Sequence, residues 1–195
     1  MKKQLTKADI LNIDKFLAIR LQKRPEILEV KKHRRVPIGP DATLYFENIE
    51  TIWWQIQEML AIEKGGNAQL EDELTAYNPL IPQGHELVAT FMIEIDDTLR
   101  RTTTLAKLGG IEKTIGVRFS GHHITACPEE DVERTNSEGK TSSIHFLRFP
   151  FNTQQIADFK TLGQDIILEA THPFYTHKTV LPEGIRAALS QDFMD

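Results

Sequence analysis

The order of hydrophobic and polar positions changes character midway along the chain. From about Lys7 to Arg35 the sequence reads mostly as helix. Thr6 is the expected cap, and Pro25 is expected to open a second helix, because proline is tolerated in a first turn. Val36-Pro-Ile-Gly-Pro40 stops helix formation, and Thr43-Leu-Tyr-Phe-Glu47 has the β-branched and aromatic content of a short strand. Asn48 caps the next helix, which carries Ile49, Ile52, Trp53, Ile56, Met59 and Leu60 at helical spacing and ends at Gly65-Gly66. A third helix runs from about Asn67 to Tyr77 and is halted by Asn78-Pro79.

The second half is written mainly in period two. Leu87, Ala89, Phe91, Ile93 and Ile95 alternate with Val88, Thr90, Met92 and Glu94, the pattern of a half-buried strand. A helix from about Asp97 to Leu108 follows. Ser120-Gly121 then joins two strands as a hairpin. Asn152-Thr153 caps a helix to about Leu162, a second hairpin turns at His172-Pro173, and Pro182 opens a last helix through Leu189. Helices first and antiparallel strands later predict an α+β fold: residues 1–195 as one domain, a mainly antiparallel sheet flanked by helices, with a helical N-terminal third.

One strand stands out, the segment that ends at Phe149. A turn signal, Asn136-Ser-Glu-Gly139, precedes it. Alternate strand residues share a face, so Ser143, His145, Leu147, Phe149 and Phe151 point one way and Ile144, Phe146 and Arg148 the other. Neither face suits open water, so both faces are expected to be covered, with His145 and Arg148 buried and paired.

Composition narrows the function classes. The 195 residues are 40% hydrophobic, enough for a sizeable core. The single cysteine, Cys127, rules out an internal disulfide and any cysteine-built zinc or iron–sulfur site within one chain, and it fits a cytoplasmic, reducing compartment. The start, Met1-Lys-Lys-Gln-Leu-Thr, lacks the apolar core of a secretory signal, and no apolar run approaches a membrane span. A net charge of −5 argues against nonspecific nucleic-acid binding.

Six segments together carry a family likeness: Arg34-Arg35-Val36, Ile38-Gly39-Pro40, Leu44-Tyr-Phe-Glu-Asn48, Gln55-Ile-Gln-Glu-Met59, Tyr77-Asn-Pro-Leu-Ile-Pro82 and Lys140-Thr-Ser-Ser-Ile-His-Phe-Leu-Arg-Phe149. In these, over nearly its whole length, the chain resembles the uncharacterised bacterial family named domain of unknown function 3501 (DUF3501). The resemblance brings no activity with it. It implies a genomic context, beside a rubrerythrin-like protein and a cysteine-rich iron–sulfur oxidoreductase, and so a role in redox or peroxide defence with those proteins as partners.

Candidate chemistry is spread over several segments. His122 and His145, with Glu94 or Glu133, are the residues from which a histidine–carboxylate metal site would be built if there is one, although HxH, HExxH and Glu-x-x-His spacings are absent. Arg134, Lys140, Ser142, His145 and Arg148, with Thr141 as a second hydroxyl, are the candidates for an anion pocket. Arginine binds carboxylate or phosphate through paired hydrogen bonds, and the turn would fold Arg134 back beside the strand. The pleat sends His145 and Arg148 to opposite faces, so all of them converge only across a bulge or twist. Arg34, Arg35 and Trp54 are the candidates for a partner contact, and a pocket of Trp54, Gln57 and Glu58 is the alternative use of that helix. The basic run Lys31–Arg35 is also what a helix C-terminus favours. Acidic neighbours disfavour Cys127 as a nucleophile, and no GxSxG elbow serves Ser142 or Ser143. No motif names a cofactor. Without a cysteine cluster, GxGxxG or haem-attachment motif, an accessory protein that binds a partner or small anion is favoured over an electron carrier. The alternative is an enzyme with a histidine–carboxylate metal site or an Arg/Lys-lined anionic-substrate pocket.

Overall fold

The computed structural model describes residues 3–129 and 134–194; Glu133, one of the candidate metal ligands, lies outside the described residues. The fold is α+β, but the strands form two antiparallel sheets instead of one. Sheet A runs β1 (Arg35–Pro37), β2 (Ala42–Phe46), β3 (Glu86–Ile93), β7 (Ile144–Pro150), β6 (Cys127–Pro128) in spatial order. Sheet B runs β5 (His122–Thr125), β4 (Ile115–Phe119), β8 (Ile167–His172), β9 (Tyr175–Val180). The inner faces of both sheets share one core. Leu44, Phe91 and Leu147 of sheet A belong to the same buried cluster as Val117 and Leu168 of sheet B. Helices α5 (Thr153–Lys160) and α6 (Glu183–Ser190) add Phe159 and Leu189 to it.

The outer face of sheet A is roofed by the N-terminal helices. Helix α1 (Ile13–Lys32) packs on α2 (Ile49–Glu63) through Phe16, Ile27 and Trp54. Helices α2 and α3 (Gly66–Tyr77) in turn cover Val88 and Phe146 of the sheet with Ile52, Ile56 and Leu74. Two expectations change for this reason. Strand β3 is buried on both faces, not half-buried, because helices lie on one side of it and sheet B on the other. Helix α1 also runs through Pro25 as one helix and is capped by Asn12, while Thr6 caps a separate 3-10 turn, Lys7–Asp9, ahead of it. Pro25 is exposed, so water can reach the Leu21 carbonyl that loses its N–H partner, while Phe16 and Ile27 anchor both halves to α2. The helix α4 (Thr98–Leu105) is shorter than its pattern suggests.

The local chemistry of the other elements follows the sequence. The Asn48 side chain accepts from Thr51 N at 2.9 Å, and the Asn48 N–H donates back to Thr51 Oγ1 at 2.9 Å. Ser120 and Gly121 both have positive φ, which matches the twist of the β4–β5 hairpin they join.

Candidate functional site

The register of sheet A builds a row of side chains on its outer face. Arg35 pairs with Tyr45, Tyr45 with Thr90, and Thr90 with Phe146, so the row crosses four strands. Strand residues two apart share a face, which places Thr43, Met92 and Ile144 in the adjoining row. The end of α1 and helices α2 and α3 stand above these rows without filling the space. The result is a cleft of about 470 Å³, with Tyr45, Thr90, Met92 and Phe146 on its floor and Lys31, Gln55 and Tyr77 on its wall.

The polar groups in this cleft fall into two kinds. Its carboxylates are already engaged. Glu47 accepts hydrogen bonds from Thr51 Oγ1 at 2.6 Å and Thr90 Oγ1 at 2.7 Å, and Glu94 accepts one from the Tyr45 hydroxyl at 2.7 Å. Burial raises the pKa of Tyr45, and the bond to Glu94 adds to this, so the hydroxyl stays a donor. Its cations divide: Arg34 is paired with Asp192, whereas Arg35 and Lys31 form no ion pair among the described residues. The Arg35 guanidinium lies 5.2 Å from the centre of the Tyr45 ring. Among the described residues, no hydrogen bond or ion pair holds the Lys31 ammonium. Burial lowers the Lys31 pKa, with Glu47 opposing the shift and Arg35 adding to it. At the far end of the row Arg134 lies 5.0 Å from the Phe146 ring centre and is paired with Glu129 at 2.7 Å.

The five residues expected to hold an anion do not converge. The 136–139 turn does fold Arg134 back, with Ser142 N donating to Arg134 O at 2.6 Å. His145, however, faces the inner core and Arg148 the outer side, as the pleat requires. Arg148 is only half-buried. It pairs with Glu86 at 2.7 Å and donates to the Pro79 carbonyl. His145 is fully buried: its Nε2 donates to the Ser142 carbonyl at 3.0 Å and contacts Thr141 Oγ1 at 3.1 Å. Its Nδ1 faces Glu112 Oε2 at 3.7 Å, beyond hydrogen-bonding distance. Ser142 Oγ accepts from Ile144 N at 3.1 Å, and Lys140 N–H donates to Asn136 Oδ1 at 2.9 Å, so both belong to the turn's own hydrogen bonding.

The proposed metal set is also dispersed. His122 pairs with Asp158 at 2.7 Å on sheet B, His145 lies on sheet A, and Glu94 binds Tyr45. The strand of His145, β7, pairs with β3 and β6, whereas that of His122, β5, pairs with β4 in the other sheet. Among the described residues, no three His, Cys, Asp or Glu side chains form a metal-sized group. Of the partner-contact candidates, Arg34 is buried, donating to the Phe46 and Glu47 carbonyls and pairing with Asp192. Trp54 is buried against Phe16, 5.4 Å between ring centres. Only Arg35 of the three remains exposed. Gln57 is buried with its Nε2 lacking a partner among the described residues, and Glu58 is held by Arg20 through two hydrogen bonds, so Trp54, Gln57 and Glu58 form no open pocket.

Three of the candidates from the sequence, Arg34, Arg35 and Glu94, do line the cleft, together with Tyr45, Thr90, Lys31 and Tyr77, which were not among them. The only early signal for these was the position of Lys31 in the basic run. A row across four strands becomes visible only when the strand register is known.

The profile of DUF3501, described as a protein of unknown function, matches residues 4–193. The chain belongs to this family. The chain is also similar to a protein of unknown function from Burkholderia pseudomallei K96243 whose crystal structure is known, at 34% identity and a TM-score of 0.89, covering 98% of this chain and 100% of that one. No curated protein matches the chain. DUF3501 and this neighbour therefore agree on the fold and carry no activity with them. No helix among the described residues is long and apolar enough to cross a membrane.

Proposed function

We propose that the protein binds a small organic anion with a flat apolar part in the cleft over sheet A, and serves as a cytoplasmic accessory protein in a redox or peroxide-response system. One observation supports the binding reading: two cations that form no hydrogen bond or close ion pair among the described residues, Lys31 and Arg35, stand beside an aromatic floor, while both cleft glutamates accept hydrogen bonds from hydroxyl groups. The acid group would meet Lys31 and Arg35, and the apolar part would lie over Tyr45 and Phe146. The redox setting rests on the genomic context that the family resemblance implies. A rubrerythrin-like protein or an iron–sulfur oxidoreductase is the partner class it names.

Thermal-shift and calorimetric titration with a panel of aromatic and aliphatic carboxylates tests the cleft. Removing one charge-assisted hydrogen bond costs about 1.5–3 kcal/mol, so Lys31→Gln and Arg35→Gln should each weaken binding by about 10- to 100-fold. Equal affinity in the wild type and both variants would remove the cleft from consideration. One observation supports a second reading, an enzyme acting on an anionic substrate. Burial holds Lys31 below the ordinary lysine pKa, which leaves more of its amine unprotonated, and so free to act as base or nucleophile, than in a solvated lysine. Chemical change of a bound carboxylate, followed by mass spectrometry and lost in Lys31→Gln, would decide for it.

A further inference from the structure

Helix α1 has two apolar faces, and α2 covers only one. Phe16 and Ile27 are buried against Trp54. Leu17, Leu21 and Leu28 are 47%, 80% and 49% exposed. At 3.6 residues per turn these three fall within an arc of about 40°. They form one stripe on the solvent side of a 20-residue helix.

We propose that this stripe is the contact for a second copy of the chain, with the two α1 helices packed antiparallel in a weak, reversible dimer. The ends of the helix argue for this occupant. Asp14 and Lys32 lie about five turns apart, so they flank the stripe on the same side. Both are exposed, and the i,i+3 contact from Lys32 to Glu29 is a loose 3.4 Å. The midpoint between Asp14 and Lys32 is Lys23, and the midpoint between Leu17 and Leu28 falls within one residue of it. One two-fold axis therefore satisfies both pairs at once. Leu17 meets Leu28 of the second copy, Asp14 meets its Lys32, and Leu21 packs under the aliphatic stem of its Arg24. A parallel pair would set Asp14 against Asp14 and Lys32 against Lys32, and would align the helix dipoles unfavourably. Three leucines make a smaller contact than a permanent interface, so the dimer is one that dissociates on dilution.

Sedimentation velocity over a wide concentration range tests this on the full chain. The wild type should show a sedimentation coefficient that rises with concentration. Leu21→Glu should abolish the rise, while circular dichroism confirms that this exposed substitution leaves the fold intact. Asp14→Lys and Lys32→Glu should each weaken the dimer, and the double reversal should restore it. A monomer at every concentration would overturn the proposal, and so would a dimer that Leu21→Glu leaves unchanged. A dimer that is lost in Leu21→Glu but indifferent to the charge reversals would refute the antiparallel register.

Discussion

Single residues that looked like site chemistry turn out to hold the fold together. Arg34 joins the end of α1 to the C-terminal segment through Asp192 while tying down the carbonyls of Phe46 and Glu47. Removing one member of a buried ion pair strands the other, so Arg34→Ala should cost about 3–5 kcal/mol at pH 7, read from urea denaturation. Burial pushes Asp192 from its ordinary 3.8 up to about 6, against the pull of Arg34. Between about pH 4 and 6 the folded protein therefore binds a proton that the unfolded chain has released, and the Asp192 contribution to stability falls as pH rises through that window. Asp192→Asn should flatten this slope. His145 acts in the opposite sense. Burial lowers its pKa below 6.5, although Glu112 and the Ser142 carbonyl oppose the shift. The unfolded chain takes up a proton near pH 6.5 that the folded one resists, so this contribution is whole above pH 6.5 and is lost as pH falls below it. Stability measured from pH 7.5 to 5.5 should decline less steeply in His145→Gln than in the wild type.

At the scale of elements, beyond the shared core, sheet B is fastened to the β1–β2 end of sheet A by the hydroxyls of Tyr175 and Thr179, the latter donating to the Pro37 carbonyl at 2.8 Å, and by one close-packed glycine. Tyr175 of β9 donates to the Ile38 carbonyl at 2.6 Å and accepts from Asp41 N at 3.1 Å, fastening sheet B to the β1–β2 turn. Tyr175→Phe leaves the Ile38 carbonyl without this donor and should cost about 1–3 kcal/mol. Gly39 in that turn has φ +71°, and a Cβ there would lie 2.5 Å from the His177 ring. Gly39→Ala should therefore destabilise by more than the roughly 1–2 kcal/mol of left-handed backbone strain alone, because the imidazole must also move. Both variants are checked by urea denaturation. A glycine tolerant of alanine would mean that His177 is free to swing away.

At the scale of the molecule, the cleft exists because three separate stretches meet: the end of α1, the α2–α3 pair and the strands of sheet A. The attraction proposed for an anion there is partly Coulombic. Carboxylate affinity should therefore weaken as salt is raised from about 0.05 to 0.5 M, where the screening length falls severalfold. Affinity independent of salt would place the ligand on the aromatic floor alone, away from Lys31 and Arg35.

Much of this architecture was written in local sequence. Asn48, Asp97 and Asn152 cap helices because their short side chains reach an N–H three residues on, and this needs no distant partner. Period two placed Leu147 and Phe149 on one face of β7 and Phe146 and Arg148 on the other. The six family segments carried the family likeness that the match over residues 4–193 bears out, and the order of helices before strands carried the α+β class. What local pattern does not contain is the partner of each face. Nothing near Thr90 says that it stands between Tyr45 and Phe146, since cross-strand register joins residues far apart in the chain. The same holds for Arg34, whose carboxylate lies 158 residues away. Strand content alone does not choose between one sheet and two; burial of both faces of β3 does, because a strand with apolar residues on each side needs a second layer to cover it. The sequence thus set most of the elements and several of their caps, because these depend on neighbours a few residues away, while tertiary packing decided which cations lining the cleft were paired, as Arg34 is, and which, Lys31 and Arg35, form no ion pair among the described residues.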